Sequence, residues 1–238
     1  MKMHVLFLTI VLLSATLSFA QFSTEKIGIA VNTVYTTTAD IFLNPNASNP
    51  EVRNKSFTLE NIWNLGLDLR FRFSSEFILG LNVEYITKTS NQPNLTAFVG
   101  NQVFIFDVED GFKVIPIELT AHYLFPFSTQ DFKFIMGGGL GYYFGEFIRK
   151  FHEAELEIIQ RKIAIGIHVS ASMDYMIFEY LSARFEMKFR NPQYNVTSKY
   201  TTTEIIYQGN VIQLPEDAFE TKVDINGLTF VLGLVFHI

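Results

Sequence analysis

Charged and imidazole side chains in this sequence fall at alternate positions of stretches whose other positions are apolar. Asp68, Arg70, Arg72, Glu84, Glu118, His122, Lys162, His168, Arg184, Glu186, Lys188 and His237 share that placement. Carboxylates beside histidines could do general acid–base work, and a hydrolase or a site for a polar ligand is the chemistry they would serve. The most enzyme-like pair is His168 with Ser170, where Glu186 or Glu179 could orient the imidazole. The alternative is structural: opposite charges gathered on one face of a closed sheet satisfy one another. Both signs are present, and an unpaired charge in an enclosed space is costly, which favours the structural reading. His122 and His237 lack the spacing of zinc ligands, and the absence of cysteine excludes thiolate metal sites, thiol nucleophiles and disulfides. Neither a metal nor a cofactor is expected. Gly137-Gly138-Gly139-Leu140-Gly141 lacks the Lys and Ser/Thr of a phosphate loop and sits inside a strand pattern, where glycines permit close packing of bulky neighbours.

The elements that carry these residues alternate with period two. Trp63, Leu65, Leu67, Leu69, Phe71 and Phe73 oppose Asn64, Gly66, Asp68, Arg70 and Arg72, a division that a helix would scatter around its circumference. The same alternation marks strands at 27–35, 63–73, 77–85, 115–125, 132–144, 163–173, 181–189 and 228–238. About 12 residues at roughly 3.3 Å each, tilted near 45°, rise close to the hydrocarbon thickness of a bilayer. The links between them, 38–60, 74–76, 88–111, 126–131, 146–161, 174–177 and 190–222, alternate long and short. That pattern predicts an all-β protein: a transmembrane up-and-down antiparallel barrel of eight strands, with its long loops on one side. A soluble lipocalin-like barrel is the competing fold, with every face inverted, because alternation alone does not say which face points inward. Asn44 to Pro50 and Ser90 to Asn94 carry turn chemistry, residues 151–160 could form a short helix or extend strands beyond the bilayer, and residues 197–214 predict a hairpin about Gln208-Gly209-Asn210. Tyr35, Trp63, Tyr85, Tyr123, Tyr142 and Tyr143 lie near strand ends, as an interfacial aromatic girdle would.

Of the 238 residues, 48% are apolar and only 18% charged, and 24 acidic side chains outnumber 18 basic ones for a net charge of -6. An excess of acid excludes an electrostatic grip on nucleic acid. Lys2, the apolar run Val5 to Leu13 and the small residues Ser18 and Ala20 form a secretory signal over residues 1–20, leaving 21–238 as one barrel domain.

Three pieces carry a resemblance: the Ala20-Gln21 junction, the stretch Phe112 to Leu119 with its internal Pro116, and the last strand, Gly227 to Ile238. Through them the chain resembles the small outer-membrane β-barrel proteins of Gram-negative bacteria, the OmpX, OmpA-barrel and OmpW group and their Bacteroidota-type relatives. The resemblance implies an outer-membrane monomer surrounded by lipid and lipopolysaccharide, with a structural or surface-interaction role and no enzymatic one. It also implies recognition by the barrel assembly machinery through Gly227, Phe230, Leu232, Leu234, Phe236 and Ile238. The family signal usually ends in an aromatic residue, where this chain has Ile238 with Phe236 one step earlier. An alternative implied by the OmpW group is a narrow barrel that binds or passes a small apolar ligand. A lipid-modifying hydrolase is the third, since outer-membrane lipid A deacylases also use a His-x-Ser pair with a Glu.

Overall fold

A computed structural model of the protein describes residues 26–99 and 102–238, so the export segment expected at 1–20 lies outside the described residues. Alternating apolar and polar residues with few interior breakers form strands: β1 (Ile27–Phe42), β2 (Ser56–Arg72), β3 (Phe77–Val99), β4 (Gln102–Leu124), β5 (Phe132–Lys150), β6 (Leu156–Arg161), β7 (Ala164–Phe178), β8 (Leu181–Arg190), β9 (Gln193–Tyr200), β10 (Glu204–Tyr207), β11 (Asn210–Gln213), β12 (Phe219–Asp224) and β13 (Leu228–His237). The eight sequence-predicted strands correspond to β1 to β5, β7, β8 and β13. Every pairing is antiparallel, and each of these eight pairs with the next in that order. β13 then pairs back with β1 from Gly28↔His237 to Thr36↔Thr229, so the ladder returns to its start. Backbone bonds in both directions between Ile27 and Ile238 finish this seam.

Around this ring the large apolar residues face outward and the polar ones inward. Leu65 is 67% exposed, Ile165 65% and Leu232 58%, whereas Asp68, Glu118, His168 and Arg184 are buried. The inverted, lipocalin-like assignment is thereby excluded. No helix among the described residues is long and apolar enough to cross a membrane, which says nothing of strands.

The links differ from expectation. Residues 38–60, 88–111, 146–161 and 190–222, expected as loops, are largely continuations of strands or added strands. β3 and β4 run as one paired ribbon out to Val99↔Gln102. Ser90 to Asn94 lies inside β3, where a register shift between Gln92 and Leu95 accommodates the proline that would otherwise break the ladder. Residues 174–177 belong to β7, which turns into β8 only at Glu179 and Tyr180. Asn44 to Asn49 is irregular, and Pro50 then opens the short helix α1 (Pro50–Arg53), with the Asn49 side chain accepting from the Glu51 N–H at 2.9 Å. The expected hairpin is present as β10 and β11, with Gln208 and Gly209 at φ 50° and 79°, the positive angles that a tight two-residue turn requires.

Polarity reverses along these long strands. At the short-turn end the ring is apolar outside and charged inside. Toward the long-link end the interior becomes apolar, with Ile41, Leu59, Ile86, Phe112, Phe147, Tyr194, Val196 and Val223 in one cluster. A second cluster above it gathers Leu95, Val108, Phe151, Tyr200, Ile205 and Ile212. The change falls where β1 exchanges one neighbour for another: it pairs with β13 as far as Thr36 and with β12 from Asp40. Opposite this point Asn61 of β2 has φ 55°, and its side chain accepts from the Tyr35 hydroxyl at 2.9 Å. Inward positions there move from even-numbered to odd-numbered residues, from Val34 and Thr36 to Ala39 and Ile41.

Candidate functional site

The ring interior carries two connected groups of buried charges. In the lower group, Arg70 donates to Asp68 at 3.0 Å and to Glu186 at 2.8 Å. Arg184 bridges Asp68 at 2.9 Å and grips Asp174 with two parallel bonds of 2.8 Å. In the upper group, Arg190 meets both oxygens of Glu84, at 3.1 and 2.8 Å, and one of Glu118, at 3.1 Å. Lys188 donates to Glu118 at 2.7 Å and Glu84 at 3.3 Å, and the Tyr143 hydroxyl donates to Glu118 at 2.8 Å. Charge-assisted, partly bidentate bonds are the arrangement that offsets desolvation of so many ions.

Strand phase explains the convergence. Ser182, Arg184, Glu186, Lys188 and Arg190 are successive inward positions of β8, and the remaining acids come from β2, β3 and β4 across the ring and from neighbouring β7 through Asp174. Arg190, Asp174 and Tyr143 were missed in the sequence. Arg190 continues the β8 phase by one further step, and Asp174 continues β7 beyond its expected end. Tyr143, expected in the outer girdle beside Tyr142, is fully buried because adjacent strand residues point to opposite faces.

Three other residues depart from the expected network. Arg72 sits at the short-turn end and donates to the carbonyls of Ser74 and Ser75, at 3.0 and 2.8 Å; those turn groups lie at the end of the strand ladder. Lys162 is outside the ring, 3.1 Å from Glu220. His237, near the lower mouth, lies 2.9 Å from the Ser182 hydroxyl through Nε2. The enzyme-like grouping does not assemble: His168 Nε2 lies 2.8 Å from the Thr120 hydroxyl, Glu186 is held by Arg70, and Glu179 is exposed on the turn. Among the described residues no group of three or more acids and histidines could hold a metal ion.

The inward glycines make room for this filling. A Cβ at Gly80 would lie 2.6 Å from His122 Nε2, and one at Gly145 would overlap the Tyr194 ring. Gly145→Ala is expected to destabilise the folded chain by about 1–3 kcal/mol, as overpacking does, measured by urea unfolding in vesicles. An unchanged midpoint would mean that Tyr194 is free to move aside.

Outside the ring at the long-link end, Lys162 and the amides of Asn195 and Asn46 surround Glu220. The Asn195 hydrogen bond comes first in holding this carboxyl below the usual carboxylate range, and partial burial works the other way. The contribution to stability is therefore present above the ordinary glutamate pKa and is lost as pH falls through the lowered one.

The residues expected to form a terminal signal, Phe230, Leu232, Leu234, Phe236 and Ile238, line the outer face of β13 and its end, and the Gly227 N–H bonds the Thr38 carbonyl at 3.1 Å.

No protein-family profile matches this chain, and no curated sequence matches it. Its fold is similar to that of the outer membrane protein OprG from Pseudomonas aeruginosa, with a TM-score of 0.62, 13% identity, and coverage of 90% of this chain and 96% of that one. Looser similarities are to Neisserial surface protein A (TM-score 0.48, 10% identity, 89% and 97% covered) and to Ail, the attachment invasion locus protein of Yersinia pestis (0.47, 9%, 91% and 100%). At such identities the likeness to OprG is one of fold alone: an all-β, antiparallel, strand-rich architecture.

Proposed function

We propose that the chain is a closed eight-stranded barrel of a Gram-negative outer membrane, exported by its first 20 residues, with a packed lumen and a structural or surface-interaction role. The filling of the ring at its upper charge layer is the observation that carries this reading. Arg190, Glu84, Glu118, Lys188 and Tyr143 are each no more than 4% exposed and are bonded to one another across the interior. Such a layer is a plug of paired ions, and the apolar clusters above it continue the obstruction. The engagement of His168 and Glu186 by other partners supports a non-enzymatic role. The outward apolar band supports insertion among lipids, with lipopolysaccharide around its upper rim and the assembly machinery as a partner during insertion.

In planar bilayers the purified protein is expected to be silent or to give small, irregular currents, because general diffusion pores need about 16 or more strands. Stable conductance of porin size would overturn the packed-lumen reading. Recovery as a soluble periplasmic monomer without detergent would overturn the membrane reading.

A further inference from the structure

We propose that a groove on the outer wall, where β4 and β5 face the β6–β7 junction, binds a phosphorylated glycolipid of the outer leaflet. The proposal rests on the membrane reading above and assigns that lipid a particular seat. Ladder pairing between β5 and β7 ends at Tyr143↔Ala164, and β6 stops at Arg161, so Lys162 and Ile163 pass beside the upper half of β5 as a link. The resulting concavity encloses about 300 Å³ and is lined by Lys113, Ile115, Phe144, Glu146, Arg161, Lys162 and Ile163, with Gly145 at its floor.

Its chemistry is layered by register. Ile117 pairs with Tyr142, and Tyr142 with Ile165, forming an outward apolar row. One step higher, Ile115 pairs with Phe144, and Ile163 lies beside them; one step higher again, Lys113 pairs with Glu146, beside Arg161 and Lys162. An apolar floor thus gives way within two residues to three cations, of which Arg161 is paired with Glu146 and Lys162 with Glu220, leaving Lys113 as the excess positive charge. The protein as a whole has a net charge of -6, so this local excess of base stands out against an acidic molecule. Arg161 lies 2.7 Å from Glu146, and its side chain is 56% exposed; Lys162, 53% exposed, reaches outward to Glu220. Lys113 sits over the Tyr85 ring at 5.6 Å, and Tyr85 occupies the level of the outward Tyr35–Trp63 pair to within one step of the ladder.

The cations therefore lie at the height of the interfacial aromatics, where headgroup phosphates sit, with acyl-compatible side chains immediately below. A free phosphate would gain nothing from the Ile115, Phe144 and Ile163 floor, and an uncharged hydrocarbon nothing from the basic rim. A guanidinium and two ammonium groups suit a phosphate that carries its own hydrocarbon. The long-link end is the outer-leaflet side of such a barrel, which favours the glycolipid over a phospholipid.

The test uses the full mature chain in nanodiscs of neutral phosphatidylcholine, with lipid A as the probe and retained lipid read by native mass spectrometry. Heat-modifiable migration reports first whether the barrel has formed, so failure to insert sinks the membrane reading separately. For an inserted protein, removing the phosphates from lipid A is expected to lower retention roughly tenfold, as is the triple change Lys113→Gln, Arg161→Gln and Lys162→Gln. Glu146→Gln should raise retention. Equal retention of phosphate-free lipid would reduce the groove to an apolar crevice, and equal retention by the triple variant would place the lipid elsewhere; either result overturns the proposal. Phosphatidylglycerol held as well as lipid A would overturn the choice of glycolipid.

Discussion

Leu67→Arg or Ile165→Arg should lower the stability of the inserted protein by about 2–4 kcal/mol, read from urea unfolding in vesicles. Leu67 sits near the middle of the outward apolar band and Ile165 toward its upper part, and both are at least 60% exposed, so the upper end of this range is expected at Leu67 and the lower end at Ile165. In a water-soluble protein such an exposed position tolerates arginine to within about 0.5 kcal/mol. The two environments therefore predict outcomes that differ several-fold at the same site. Glu60→Arg, farther up β2 on the exposed surface beyond the band, is the control and should have little effect. Equal responses at positions 60 and 67 would mean that the apolar face does not meet hydrocarbon.

The second large effect belongs to the interior. Arg190→Met removes three hydrogen bonds and leaves Glu84 and Glu118 with the Lys188 ammonium and the neutral donors Asn64 and Tyr143 in a closed space. Stripping one partner from a buried ion pair typically costs about 3–5 kcal/mol, because the remaining charge keeps its desolvation penalty. Adding Glu84→Gln to the same variant should recover part of the loss, since it also removes a stranded acid. Arg161→Met breaks an ion pair of similar length at the surface, and exposed pairs contribute about 0–1 kcal/mol. If the two methionine variants unfold at the same urea concentration, the interior charges are solvated and the lumen is wet.

The lower ring was readable because its strands carry a one-sided pattern. Six large apolar residues from Trp63 to Phe73 against Asp68, Arg70 and Arg72 admit few arrangements, and the same holds in β8 from Leu181 to Phe189. The upper half was not readable in the same way. There the apolar residues turn to the inside, so Ile41, Leu59, Val108 and Val196 point inward while the apolar residues of the lower ring point outward. Following one phase along β1 therefore fails beyond Thr36, where inward positions change parity. Pro93 and its neighbours resembled a loop, although a register shift is enough to keep them in β3. The site was legible in part for the same reason. The acids and most of the bases lay within the recognised phases, whereas Arg190, Asp174 and Tyr143 required the strand ends, or the face of one tyrosine against its neighbour, to be placed to a single residue. The wall groove left no periodic trace, because it depends on where β5 loses β7 as a neighbour.

The unbroken course of β3 and β4 has a mechanical consequence. Their ribbon runs from the short-turn end at Phe77↔Tyr123 to Val99↔Gln102, beyond the closed ring of eight strands. A pull on its far end, directed away from the ring, would reach it along two strand axes. The load would fall on the flanking ladders, from Leu65↔Tyr85 to Arg72↔Ile78 on one side and from Glu109↔Lys150 to Leu124↔Ile135 on the other. Hydrogen bonds lying across the direction of force are sheared together, whereas those at a peeling edge fail one after another. The projecting ribbon is thus built to bear tension like a riveted strap, with its anchorage spread over two neighbouring strands.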